Sequence, residues 1–334
     1  MESAKAGRPR PVALLFAGQG AQHPGMGAHL YGTEPVFTDA MDAVFGLLGP
    51  GGAALRAEWL DGREDGLDDA GRAQPLLFAL GHALGRLLLD RGVRPAALLG
   101  HSVGEAVAAV LAGVVSLPDA VRLLAARTHA VRDTPPGGML AVAAPVGALE
   151  GALRDGVVVG AVNGPAQTVL AGPDAALDRA QEWLRQRGLL CRRARARQAF
   201  HSPLVAPAVT ATSAEYERTA FRSPGVALYS ACTGRPLTGR EAVDPGFWAR
   251  QLCEPVLFWP ALDRLLGDGD FLLVDAGPGE SLLSLARRHP SVATGRSAVV
   301  SALPPAHLTG KDRGAALAGA LRRIAAEGHR VRVQ

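Results

Sequence analysis

The pentapeptide Gly100-His101-Ser102-Val103-Gly104 constrains this chain more than any other feature. A G-x-S-x-G turn needs a strand before it and a helix after it. The sharp bend then exposes a serine oxygen at the carboxyl edge of a sheet. Both flanks are present: 95–99 reads as a strand, entered through the Gly-containing turn 91–94, and 103–112 reads as a helix. The glycines remove side chains that would clash in the turn. The helix N-terminus points partial positive charge at the serine, which favours an anionic intermediate. Ser102 is therefore a candidate nucleophile, with an ordinary strand–helix turn as the alternative.

The rest of the chain alternates short apolar runs with amphipathic stretches, the pattern of an α/β protein. Residues 12–16 read as a buried strand. Residues 73–90 read as a helix with Leu76, Leu77, Leu80, Leu84, Leu87 and Leu88 on one face. Ser116 is expected to cap another helix, with Pro118 in its first turn. The breaker cluster Thr134-Pro135-Pro136-Gly137-Gly138 then changes the pattern. Strand-like 139–143, helical 146–154, strand-like 157–162 and 167–170, helical 174–187 and strand-like 189–194 follow in order. This β-α-β-β-α-β order is the ferredoxin-like signature. The expected fold is a large α/β-hydrolase-like domain with a parallel sheet, formed by 1–136 and 198–334. A ferredoxin-like subdomain, 137–197, interrupts it. The large domain is expected to resume with a helix after Pro203, strands at 226–229 and 271–274, helices near 247–252 and from 281, and a final helix at 313–327.

Composition excludes several classes. Of the 334 residues, 48% are apolar and 20% charged, so the chain is neither disordered nor supercharged. No apolar run approaches the ~18 residues of a membrane span. The start is basic, but the apolar stretch 12–17 is too short for a signal peptide. Dispersed acidic residues hold the net charge at +4, which is not a nucleic-acid-binding balance. Lys5 and Lys311 are the only lysines, and the arginine bias matches a GC-rich coding composition. Cys191, Cys232 and Cys253 are odd in number and far apart. They form neither a zinc spacing nor a disulfide framework, so no metal and a reducing, cytoplasmic compartment are expected.

A serine nucleophile needs a base. His101 adjoins it, but a neighbouring side chain on such a turn points elsewhere. His201 lies where the chain returns from the small subdomain and is one of several candidates. A rival order, Ser then Asp then His, would use Asp275 with His289 or His307 as a hydrolase triad. Gly18-Gln19-Gly20-Ala21-Gln22 follows the first strand. It is no dinucleotide fingerprint, because His23 stands where the third glycine belongs, and it is no P-loop. Its backbone N–H groups suit half of an oxyanion hole, with a plain strand–helix turn as the alternative.

Further short motifs accompany these: Pro24-Gly25-Met26-Gly27, Gln74-Pro75, Glu105, Arg127, Val162-Asn163-Gly164-Pro165, Ala199-Phe200-His201-Ser202-Pro203, Gln251 with Pro255-Val256, and Gly277-Pro278-Gly279-Glu280. In this order and spacing they resemble the malonyl-CoA:acyl-carrier-protein transacylases, and more closely the acyltransferases of modular polyketide synthases. The resemblance covers about 12–290.

The resemblance implies a Ser102–His201 dyad working in ping-pong fashion, with no bound cofactor. An acyl-CoA is the donor. The acceptor is the phosphopantetheine thiol of an acidic acyl carrier protein. It implies an oxyanion hole at the backbone N–H groups of Gln19 and Val103, and a backbone carbonyl at Gln251 orienting the histidine. Arg127 would bind the free carboxylate of a dicarboxylic acyl group, since a guanidinium grips a carboxylate through two parallel hydrogen bonds. The expected specificity pocket comprises Gln198, Ala199, Phe200, Asn163, Gln74 and His101. Val103 and the Ala199-Phe200-His201 run resemble the malonyl type, with Phe200 filling space that a 2-alkyl group would need. Arg192, Arg193, Arg195 and Arg197 are expected to steer the carrier. A discrete, trans-acting, monomeric enzyme is expected. Substituted-malonyl selectivity, transfer between two carriers, an editing hydrolase and a non-catalytic docking module are the alternatives.

Overall fold

The computed structural model describes residues 9–304 and 312–333. Its strands are β1 (Val12–Phe16), β2 (Pro95–Gly100), β3 (Gly137–Val142), β4 (Val158–Gly164), β5 (Gln167–Pro173), β6 (Cys191–Arg193), β7 (Ala227–Ser230), β8 (Arg235–Pro236), β9 (Leu272–Asp275) and β10 (Ala298–Ser301). Six of them form one sheet in the order β10-β9-β1-β2-β7-β8. All neighbours are parallel except the β7–β8 hairpin. All five residues of central β1 are buried, because helices cover both faces of a parallel sheet.

One face carries the helices Pro35–Leu47, Ala70–Asp90, Val103–Leu111 and Leu117–Ala130 around Phe16, Phe37, Phe78 and Leu84. The other packs on Phe258–Asp268 and Ser281–Ala286 around Leu15, Phe258 and Leu273. Local sequence fixes the helix starts that matter to the site. Asp69 accepts from Gly71 N at the head of Ala70–Asp90. Ser116 accepts from Asp119 N, with Pro118 in the first turn of Leu117–Ala130.

The second sheet is antiparallel, ordered β4-β5-β3-β6, with Asp174–Arg185 packed on one face around Leu140, Leu170 and Leu177. That is the ferredoxin-like order with one departure. The expected helix at 146–154 is two 3₁₀ turns, Val146–Ala148 and Glu150–Ala152. Glycines at 147 and 151 weaken an α-helix there. Gly151 is also required, because a Cβ would stand 2.2 Å from the Trp183 ring. β4 meets the large domain directly: Val162 N donates to Val256 O (2.8 Å) and Val256 N to Gly160 O (2.9 Å).

Candidate active site

Ser102 stands between β2 and the helix Val103–Leu111 with φ 53° and ψ −117°. Two glycines make this bend possible. A Cβ on Gly100 would lie 2.2 Å from Glu105 N, and one on Gly104 would lie 2.1 Å from Phe16 O. The helix therefore seats its first turn directly on the end of β1.

The structure brings His201 to Ser102, 99 residues away in sequence, with Nε2 2.8 Å from Ser102 Oγ. His201 also holds a left-handed backbone, φ 61°, and its N–H donates to Leu252 O at 2.9 Å. Nδ1 donates to the Glu254 carbonyl at 2.8 Å. The expected Gln251 carbonyl is an acceptor toward the same ring, and the Glu254 carbonyl, three residues further along the loop, is the stronger one. A proton fixed on Nδ1 leaves Nε2 as the acceptor for the serine hydroxyl. Burial lowers the His201 pKa to about 4 against the upward pull of the Glu254 carbonyl, and His101 and Arg127 push it further down. The imidazole is thus neutral at pH 7, with Nε2 free to accept a proton.

Among the described residues the rival triad is not assembled. Asp275 Oδ1 accepts from Gly277 N at 3.0 Å, and burial raises its pKa to about 7. His289 is engaged with Asp263 (3.1 Å) and accepts from Ser291 N as a helix cap. His307 lies outside the described residues.

The loop after β1 faces the same turn. A Cβ on Gly18 would lie 2.5 Å from His101 O, so only glycine lets the loop approach. Side chains pin the loop: Gln19 Nε2 donates to Asp68 O (3.1 Å), and Gln22 Nε2 donates to Asp68 Oδ1 (2.8 Å) while its Oε1 accepts from Gly20 N (2.6 Å). Among the described residues, the backbone N–H groups of Gln19 and Val103 donate to no protein acceptor.

Arg127 projects from Leu117–Ala130 and is 7% exposed. Its Nη2 donates to Gln74 Oε1 at 3.0 Å, its Nε has no partner, and Tyr216 faces the same guanidinium. No carboxylate pairs with it among the described residues. A buried cation without a counter-charge is unfavourable unless something else supplies the anion.

A family model described as an acyl transferase domain matches residues 13–327. The chain belongs to this family. It is 38% identical over 284 residues to a phenolphthiocerol/phthiocerol polyketide synthase protein of Mycobacterium tuberculosis, covering 85% of this chain and 19% of that protein. The chain thus spans about a fifth of that curated relative. Among solved structures, it resembles the acyltransferase domain from the second module of the salinomycin polyketide synthase (TM-score 0.87, 37% identity, 97% of this chain and 75% of that one). It also resembles the malonyl CoA-acyl carrier protein transacylase from Coxiella burnetii (TM-score 0.80, 25% identity, 88% and 94%).

In this acyltransferase domain a cavity of about 670 Å³ opens over Ser102 and His201, between the two sheets. Of the expected specificity residues, Gln74, His101, Asn163 and Phe200 line it. His101 Nε2 and Asn163 Oδ1, 2.9 Å apart, tie the Ser102 turn to the small sheet. Ala199 is fully buried elsewhere, and Gln198 is half-buried off the cavity. Arg127 does not reach the cavity surface, because Gln74 stands in front of it. Arg192, Arg193 and Arg195 line the mouth and Arg197 does not. Arg193 is paired with Asp174 and Asp178, and Arg195 leans toward Asp68 at 3.4 Å.

Sequence reasoning missed Met139, Ala141 and Val169 on the small-sheet wall. The period of two at 139 and 141 in β3 carried that signal. It also missed Asp68 and Glu254. Glu254 acts through its carbonyl, which no side-chain pattern marks. Among the described residues no cluster of His, Cys, Asp and Glu suits a metal ion, and no helix is long and apolar enough to cross a membrane.

Proposed function

We propose that this acyltransferase moves a malonyl-type group from coenzyme A to the phosphopantetheine thiol of an acyl carrier protein. Ser102 Oγ attacks the thioester carbonyl while His201 Nε2 takes its proton. The N–H groups of Gln19 and Val103 receive the oxyanion. The tetrahedral intermediate collapses, the carbon–sulfur bond breaks, and His201 returns the proton to the departing thiol. The carrier thiol then attacks the acyl-serine through the same steps, with His201 first as base and then as acid.

The observation that carries this reading is the buried, carboxylate-free guanidinium of Arg127 behind Gln74. A dicarboxylic acyl group brings the missing anion. A malonyl group without a bulky 2-substituent is favoured because buried Phe200 occupies the cavity wall beside His201. The relatives named above support the reading, being polyketide synthase proteins and a malonyl CoA-acyl carrier protein transacylase.

Intact-protein mass spectrometry after mixing with malonyl-CoA tests it. A malonyl adduct is expected, absent in Ser102→Ala and discharged by a holo carrier protein. Adduct formation with acetyl-CoA but not malonyl-CoA would remove the role of Arg127. Release of free malonate faster than carrier loading would make the enzyme a hydrolase.

A further inference from the structure

Three hydrogen bonds run in one direction from the guanidinium to the loop that presents the Gln19 N–H. Arg127 Nη2 donates to Gln74 Oε1 (3.0 Å), Gln74 Nε2 to Gln19 Oε1 (3.1 Å), and Gln19 Nε2 to the Asp68 carbonyl (3.1 Å). The direction is imposed by chemistry. A guanidinium only donates, so Gln74 must turn its oxygen to Arg127 and its NH₂ to Gln19. The Asp68 carbonyl only accepts, so the far end is fixed as well. Amides aligned in this way polarise one another, which strengthens each bond in the chain. Gln74 is 4% exposed yet forms part of the cavity wall, so it touches both the charge and the substrate space.

We infer that Gln74 is a positioning residue, which couples occupancy of Arg127 by the acyl carboxylate to the placement of the Gln19 backbone N–H. In the empty enzyme the Arg127 charge pulls on Gln74 and, through it, on Gln19. A substrate carboxylate competes with Gln74 for the guanidinium N–H groups. Gln74 and the Gln19 side chain then readjust together, and with them the loop over Ser102. Acyl selection thereby enters the acylation rate as well as binding. This rests on the proposed roles of Arg127 and the Gln19 N–H.

The test is single-turnover acylation of Ser102 by malonyl-CoA and acetyl-CoA. Saturating rate constant and half-saturating concentration are read separately for the full chain, Gln74→Met, Gln19→Met and the double variant. The unaltered enzyme is expected to favour malonyl. Each single variant lowers the ratio of saturating rates, malonyl over acetyl, about tenfold. The double variant lowers it no further, because both cut one chain. Gln74→Glu supplies its own carboxylate to Arg127, and it inverts the preference toward acetyl. This variant keeps a polar group at the site should the methionine variants unfold. Equal losses on both substrates, additive losses in the double variant, or changes in half-saturation alone overturn the coupling. No malonyl preference in the unaltered enzyme overturns the Arg127 reading first, and the coupling with it.

Discussion

Replacing Arg127 with Met separates a substrate clamp from a structural arginine, because the two readings move stability and activity in different ways. The guanidinium is 7% exposed, its Nε is unpartnered, and its Nη2 bonds to Gln74 Oε1. No described carboxylate offsets its desolvation, so an apolar side chain of similar length recovers roughly 1–3 kcal/mol. Stranding the Gln74 acceptor costs about 1–3 kcal/mol in return. The two cancel, and urea unfolding of Arg127→Met is expected within about 1 kcal/mol of the unaltered protein. Activity should behave differently. Two charge-assisted hydrogen bonds to a buried carboxylate are worth about 1.5–3 kcal/mol each. Losing both costs roughly 3–6 kcal/mol, so kcat/KM for malonyl-CoA falls by about two to four orders of magnitude. Transfer from acetyl-CoA, which offers no carboxylate, holds steady or improves. Urea titration and competitive acylation read by intact mass give both numbers on one preparation. A stability loss above about 3 kcal/mol with an unchanged malonyl-to-acetyl ratio would refute the reasoning and make Arg127 a structural residue.

Because burial lowers the His201 pKa to about 4, the neutral base persists far below the usual histidine range. The kcat/KM for acylation should stay level from pH 8 to about 5 and fall with a midpoint near 4, and an acid limb centred at 6.5 would contradict the burial argument. Asp275→Asn should leave malonyl transfer within a few-fold, since Asp275 binds the Gly277 N–H and no described histidine. A fall near 10⁴-fold would restore the triad. Phe200→Ala should raise the methylmalonyl-to-malonyl ratio of kcat/KM about tenfold, in line with the ~1–3 kcal/mol that one methyl group discriminates, and an unchanged ratio would remove Phe200 from the pocket. Gly104→Ala places a Cβ 2.1 Å from the Phe16 carbonyl. Urea unfolding should show a loss of about 3 kcal/mol, whereas a loss under about 0.5 kcal/mol would mean the helix shifts freely.

Much of this was legible in the sequence because its signals were periodic or local. The leucine stripe of 73–90 appears as the buried face of Ala70–Asp90. Ser116 caps where expected, and the order of the small sheet follows from its run of elements. What stayed hidden lacks a periodic mark. β10 is an edge strand whose four residues are all half-buried, so it shows no alternation. Pro50–Leu60 starts Pro-Gly-Gly and buries only Gly52, Leu55 and Trp59. The 3₁₀ turns at 146–152 answer to a contact with Trp183, more than thirty residues downstream. The Glu254 carbonyl, a second acceptor for His201 beside the expected Gln251, stayed hidden because a carbonyl belongs to every residue alike and only the path of the loop selects it.

The proposed dyad sits where local preference and final structure disagree most. Ser102, Asp155 and His201 are the described non-glycine residues with positive φ, and two of these three are the pair proposed to react. Such a backbone costs of order 1–3 kcal/mol per residue and persists only where surroundings over-determine it. The surroundings here are identifiable. Ser102 is held by the Gly104 approach to Phe16 and by Glu105 N donating to the Ser102 carbonyl at 2.9 Å. His201 is held at backbone and ring by Leu252 and Glu254, and Phe200 and Leu252 share a small core with Val205 and Ala208. The 252–256 segment that grips the ring also bonds to β4 at Gly160 and Val162. One segment therefore fixes His201 and docks the small sheet that walls the cavity. A substitution that loosens the sheet contact at Val256 should reach the chemistry through His201 before it reaches global stability.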